Sequence, residues 1–139
     1  MSKIVIKFNK NDKKFKSAHV VIMDGDKILI IQRSASDAWM PNHYGLPGGK
    51  LDEGETVEEA LARECMEEVN LTISPSDLVF LPKISHKANH GFYYITKFTG
   101  NISLNNEHSD FKWVNPKELS KYKTVPDLIE IVTAVLEHI

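Results

Sequence analysis

Gly49–Leu71 reads GKLDEGETVEEALARECMEEVNL. A glycine-bearing turn runs here into a helix that is both apolar and acidic. Thr56-Val57-Glu58-Glu59 fits a capping box, in which the threonine hydroxyl accepts from a free backbone N–H and the glutamate reaches back to the cap. The spacing predicts a helix over Thr56–Val69, closed by Asn70. On a wheel of about 100° per residue, Val57, Leu61, Cys65, Val69 and Ala62 fill an arc of about 140°. That arc is the core-facing stripe, and Cys65 within it reads as a packing residue. Glu68 falls inside the arc at about 20°, with Glu64 at its edge near 340° and Glu67 adjoining near 280°. A solvated acidic face would lie opposite the stripe. Glutamates that overlap it repel one another and lose water, so they need a cationic partner. Arg63 is one, and can also reach Glu59 a turn back. One arginine does not neutralise the set. A hard divalent cation such as Mg²⁺ does, through carboxylate and water oxygens.

The charge distribution agrees. The whole chain of 139 residues carries a net −2, yet Asp52–Glu68 holds eight acidic residues and one basic. The remainder has 16 basic and 11 acidic residues. An acidic knot in a mildly basic body suits a bound cation together with an anionic ligand. Just before the helix, Pro47-Gly48-Gly49 lets the backbone approach closely, because glycine has no Cβ. A carbonyl in that turn could complete a metal shell.

Outward from this stretch, Ala18–Met23 and Lys27–Gln32 are β-branched runs separated by Asp24-Gly25-Asp26, a hairpin signal. Lys3–Phe8 alternates as a strand and Lys10–Lys16 reads as a solvated, lysine-rich turn without a nucleic-acid role. Ser34–Lys50 has no periodicity and reads as a loop. Phe92–Phe98 and Phe111–Val114 are strand candidates, Lys117–Ser120 a helical turn, and Pro126–Ile139 the last helix. Strands outnumber helices without β–α–β alternation. This predicts a mixed α/β (α+β) sheet packed by helices, in one domain over residues 1–139, and not a doubly wound sheet. No Walker A or G-x-G-x-x-G sequence occurs. One cysteine excludes an internal disulfide. No apolar run approaches a membrane span, and MSKIVIKFNK is too interrupted for a secretory signal. The expected location is the cytoplasm, with no membrane partner.

The same residues resemble the Nudix box, G-x5-E-x7-R-E-U-x-E-E-x-G-U, where U is bulky and apolar. Gly49, Glu55, Arg63, Glu64, Glu67, Glu68 and Leu71 fall on its positions. Cys65 takes the first apolar place, and Asn70 replaces the last glycine. That glycine would end the helix in a left-handed conformation, which asparagine also adopts. Pro47-Gly48 before the box, Tyr44 at a usual aromatic position, and Glu107 ahead of Trp113-Val114 extend the likeness.

The resemblance implies an α/β/α sandwich with a loop–helix–loop motif. It implies hydrolysis of a nucleoside diphosphate linked to another group, with Mg²⁺ or Mn²⁺ bound. Glu64, Glu67, Glu68 and the Gly48 carbonyl would be the metal shell, with Arg63 and Glu55 as a supporting ion pair. Glu64 is the first candidate for the base and Glu107 the second. Arg33, Tyr44, Gly49 and Lys50 are candidate substrate contacts. His86, His90 and His108 are weaker candidates for phosphate contact or for the catalytic base, and Trp39, Tyr44, Phe92 and Tyr93 for stacking on a nucleobase. Markers of the ADP-ribose, dinucleoside polyphosphate and coenzyme A subfamilies are missing, and no spare cysteine serves an isopentenyl diphosphate isomerase. A small MutT-like enzyme acting on a nucleoside triphosphate, oxidised or noncanonical forms included, is the favoured reading. The alternatives are a sugar-nucleotide or ADP-ribose type hydrolase and a non-catalytic nucleotide-binding regulator. The regulator would be expected to lack box glutamates, and all are present here. A homodimer paired through the N-terminal strand is also compatible with the resemblance.

Overall fold

A computed structural model describes residues 15–139. The strand expected over Lys3–Phe8 and most of the lysine-rich turn lie outside them. The hairpin is present as β1 (Ser17–Asp24) and β2 (Lys27–Arg33). Gly25 turns it at φ 62°, where a side chain would be strained.

The two strands pair only near the turn, at Met23↔Ile28 and Asp24↔Lys27, and then part. The gap is filled by a segment with two very short strands, β3 (Tyr44–Gly45) and β4 (Gly48–Lys50). β3 pairs with β2 at Ile31↔Gly45 and Gln32↔Tyr44. β4 pairs with β1 at Ser17↔Lys50, Ala18↔Gly49 and His19↔Gly48. Between them, the Val20 N–H donates to the Pro47 carbonyl at 3.0 Å. The sequence reading of Ser34–Lys50 as pure loop is corrected here. Strands of two or three residues are set by their partners and are too short to show a period.

β5 (Val79–Phe80) and α2 (Pro82–Ala88) follow the central helix α1 (Val57–Val69), and neither was anticipated. β6 (Gly91–Ile95) runs parallel to β1 and is shorter than the expected Phe92–Phe98 strand. β7 (His108–Val114) begins three residues earlier than expected and lies antiparallel to β2. A 3₁₀ turn at Pro116–Lys121 precedes α3 (Leu128–His138). The seven strands among the described residues form one mixed sheet.

Both faces of the sheet are covered, which is why β1 and β2 read as nearly continuous apolar runs. On one face, Ala18, Val20, Ile22, Leu29 and Ile31 meet Leu61, Cys65 and Val69 of α1. On the other, Val21, Met23, Ile28 and Ile30 meet Ile84 of α2 and Leu128, Ile131, Val132 and Val135 of α3. Each fully buried aliphatic side chain contributes about 2 kcal/mol. Among the described residues, no helix is long and apolar enough to cross a membrane.

Candidate active site

The parting of β1 from β2 positions the site. It lets Gly48 and Gly49 run beside β1 and against α1. Gly48 sits at φ 150°, and a Cβ there would come within 2.1 Å of the Ala18 carbonyl oxygen. Only glycine fits. A Cβ on Gly49 would lie 2.9 Å from Glu64 Oε1, so this glycine makes room for a carboxylate.

α1 begins and ends as the sequence suggested. Thr56 accepts from the Glu59 N–H at 3.1 Å, and Glu59 accepts from the Thr56 N–H at 2.9 Å. Asn70 closes the helix at φ 60°. Its Nδ2 donates to the Asn101 carbonyl at 3.2 Å, which a glycine could not do. The Ser103 and Asn105 N–H groups donate to the Val69 and Glu68 carbonyls at 3.0 and 3.4 Å. The β6–β7 connection is thereby laid along the end of α1, and it brings Glu107 beside Glu68.

Glu68 lies within the apolar arc and is 4% exposed. It accepts from the Gly48 N–H at 2.8 Å. Burial pushes its carboxyl up to about 8, helped by Glu64, Glu107 and Glu67, while the Gly48 bond opposes the rise. Glu64 is also raised by burial, with Arg63 opposing. Arg63 is the hub of the remaining charges. It donates from Nε and Nη2 to both oxygens of Glu55 at 2.8 and 2.9 Å, and from Nη1 to Glu64 and Glu67 at 3.0 and 3.2 Å. Nη2 also holds the Lys50 carbonyl at 3.1 Å. The Arg63 bonds, and after them the Asp52 N–H, hold the Glu55 carboxyl below its ordinary range. Glu59 is taken by the cap, so its expected pairing with Arg63 is replaced by Glu55.

Ligand atoms of Glu68, Glu107 and His108 lie within 4.8 Å of one another. His108 Nδ1 is 3.8 Å from Glu68 Oε2 and is buried without a hydrogen-bond partner among the described residues. Burial, and then Arg33, lowers the His108 pKa to about 4, so the ring is neutral at pH 7. Two carboxyl groups, one of them buried at a cost to its charged form, together with an unpaired imidazole nitrogen fit a divalent cation. Beside this cluster a cavity of about 350 Å³ is lined by His19, Arg33, Trp39, Leu46, Phe92 and Leu128, among others.

The NUDIX domain family model matches residues 13–135. This chain belongs to the NUDIX family. It is 43% identical over 60 residues to the 8-oxo-dGTP diphosphatase of Escherichia coli K12, covering 43% of this chain and 46% of that protein. The chain thus spans under half the length of that curated relative. The nucleoside triphosphatase NudI of Escherichia fergusonii is 28% identical over 116 residues, covering 73% of this chain and 82% of that one. The crystal structure of a MutT NUDIX hydrolase from Burkholderia pseudomallei superposes with a TM-score of 0.70 at 23% identity, over 86% of this chain and 95% of that one. This likeness shows the fold.

The other expected site residues of this NUDIX family member are placed unevenly. Tyr44, a candidate substrate contact, lies in the core. It is 7% exposed, its hydroxyl donates to Asp110 Oδ2 at 2.6 Å, and its ring packs on Tyr122. Pairing β3 with β2 turns it into the core and away from the cavity. Lys50 is exposed, and its backbone serves Arg63. Arg33 lines the cavity but is bound within its own loop, at Asp37 Oδ2 and the Trp39 carbonyl. Tyr93 is fully buried, while Phe92 reaches the cavity. His19 was not anticipated. Burial, then His90 and Arg33, lowers its pKa to about 4, and it faces the cavity between Gly48 and Phe92. A polar residue inside the run AHVVIM was the available signal.

Proposed function

We propose that the protein is a divalent-cation-dependent pyrophosphohydrolase of a nucleoside triphosphate, oxidised or noncanonical forms included. The observation that carries this reading is the buried Glu68, grouped with Glu107 and with His108, which also lines a cavity with aromatic and apolar walls. The carboxylate cluster suits a polyphosphate held through a cation, and the aromatic and apolar walls suit a flat base. The activities for which the Escherichia coli and Escherichia fergusonii relatives are named support a triphosphate. Glu64, Glu67, Glu68 and the Gly48 carbonyl would hold Mg²⁺ or Mn²⁺, and Glu107 adds a fourth carboxylate. The cation, when bound, would neutralise the diphosphate and stabilise charge on the bridging oxygen as water displaces it.

The chain's own groups do the rest. Arg63 orients Glu64 and Glu67 while Glu55 fixes its fork. Glu64 and Glu107 are the two candidates to take the proton from the attacking water. Glu107 is supported by its exposure next to Glu68, whereas Glu64 Oε1 is already engaged by Arg63. The test is phosphate release with Mg²⁺, with and without chelator, on canonical and oxidised triphosphates, ADP-ribose, dinucleoside polyphosphates and sugar nucleotides. Turnover of a triphosphate, lost with chelator and in Glu68→Gln, is expected. Best turnover on another member would reassign the substrate. Folded protein that binds nucleotides without ever turning one over would make it a regulator.

A further inference from the structure

Trp39 is 54% exposed and stands at the wall of the cavity. Two side chains fix it there. The Arg33 guanidinium lies 4.8 Å from the indole centroid, and its Nε donates to the Trp39 carbonyl at 2.9 Å. Arg33 Nη2 donates to Asp37 Oδ2 at 2.7 Å, and Asp37 Oδ1 accepts from the Trp39 N–H at 3.2 Å. Met40 follows at φ 47° and Asn42 at φ 64°. Asparagine tolerates that region, but methionine is strained there, and such strain persists only where the surroundings impose it. Three hydrogen bonds and a strained residue are thus spent on presenting one exposed indole. The guanidinium lies over one ring face, and an indole still 54% exposed beside a cavity can take a flat ligand.

We propose that Asp37 and Arg33 brace Trp39 as a stacking wall for the base of the nucleotide. Trp39 contacts substrate. Arg33, expected from sequence to contact it directly, is a positioning residue, as is Asp37. This inference rests on the nucleotide reading above. It differs from a phosphate role for Arg33 in one respect: disturbing the brace weakens binding of the base and spares the phosphates.

The chain has two tryptophans. Trp113 stacks on Phe98, with centroids 5.5 Å apart, so Trp113→Phe leaves Trp39 as the reporter. In that background, dGTP, 8-oxo-dGTP and base-less tripolyphosphate are titrated with Ca²⁺ in place of Mg²⁺, followed by turnover with Mg²⁺. The two nucleotides should quench Trp39 saturably and tripolyphosphate should not. Trp39→Ala should weaken nucleotide binding, read by calorimetry and as KM, by roughly tenfold to a hundredfold, the worth of one stacked base. Asp37→Asn and Arg33→Lys should weaken the quench in the same direction, with kcat changed less than KM and tripolyphosphate affinity unchanged. Arg33→Lys keeps the charge and loses the fork, so it separates geometry from charge. If Arg33→Lys weakens tripolyphosphate as much as dGTP, Arg33 is a phosphate contact and the brace is overturned. Nucleotide turnover without any quench overturns the brace alone. Neither quench nor turnover with any nucleotide overturns both the brace and the triphosphate reading.

Discussion

The two helices that cover opposite faces of the sheet are built on different terms. α3 buries Leu128, Ile131, Val132 and Val135, all apolar, and its N-cap Asp127 makes no side-chain cap bond. α1 buries Ala60, Leu61, Cys65 and Val69, and with them the carboxylate of Glu68. It is capped reciprocally at one end and by a left-handed asparagine at the other, and Arg63 gathers its outer glutamates. A helix held by packing alone tolerates loose ends. The one that buries an ionisable group is secured at both ends.

The contrast is testable from its strongest term down. Glu68→Gln should lower turnover by about 10²- to 10³-fold, the scale of losing one group that serves the transition state. The same change should stabilise the metal-free protein. Because burial raises the Glu68 pKa to about 8, the folded protein holds a proton that the unfolded chain has already released. Stability from this group is therefore full below the ordinary carboxylate range and is lost as pH rises towards about 8. Melting temperatures in chelator should fall across that window, and Glu68→Gln should flatten the fall. A pH-independent difference between the two proteins would contradict the buried charge.

Arg63→Lys should cost roughly tenfold to a hundredfold in kcat/KM, because an ammonium cannot hold Glu55 by a fork while orienting Glu64 and Glu67. On the other face, Val135→Ala should cost about 2 kcal/mol of stability in denaturant unfolding. It should leave kcat/KM unchanged well below the melting temperature. Thr56→Ala should be the mildest, at about 1 kcal/mol, seen as a small fall in melting temperature. Loss of turnover in Val135→Ala would mean that the two faces are coupled.

The residues of α1 could be read because they are local. The capping box, the stripe and the overlap of Glu68 with it all follow from one helical period, and the hairpin follows from Asp24-Gly25. What escaped depends on partners distant in the chain. β3 and β4 exist only because β1 and β2 part. Tyr44 was expected at the substrate, but its pairing in β3 turns it towards Tyr122 and Asp110. His108 and His19 become neutral cavity-wall groups through burial that no sequence window shows. Arg33 was identified, but not its commitment to Asp37 and Trp39, which depends on the loop's fold.

The asparagine that interrupts the family pattern ties two segments into one opening unit. Its amide holds Asn101, and the next bonds run from Ser103 and Asn105 to the last turn of α1. Fraying of that turn and release of the Glu107 segment are then a single cooperative event. Hydrogen exchange should show the Asn70, Ser103 and Asn105 amides opening together. With glycine at position 70 the helix would still end, but its last turn could fray without loosening the loop as far, and the amides would exchange at separate rates.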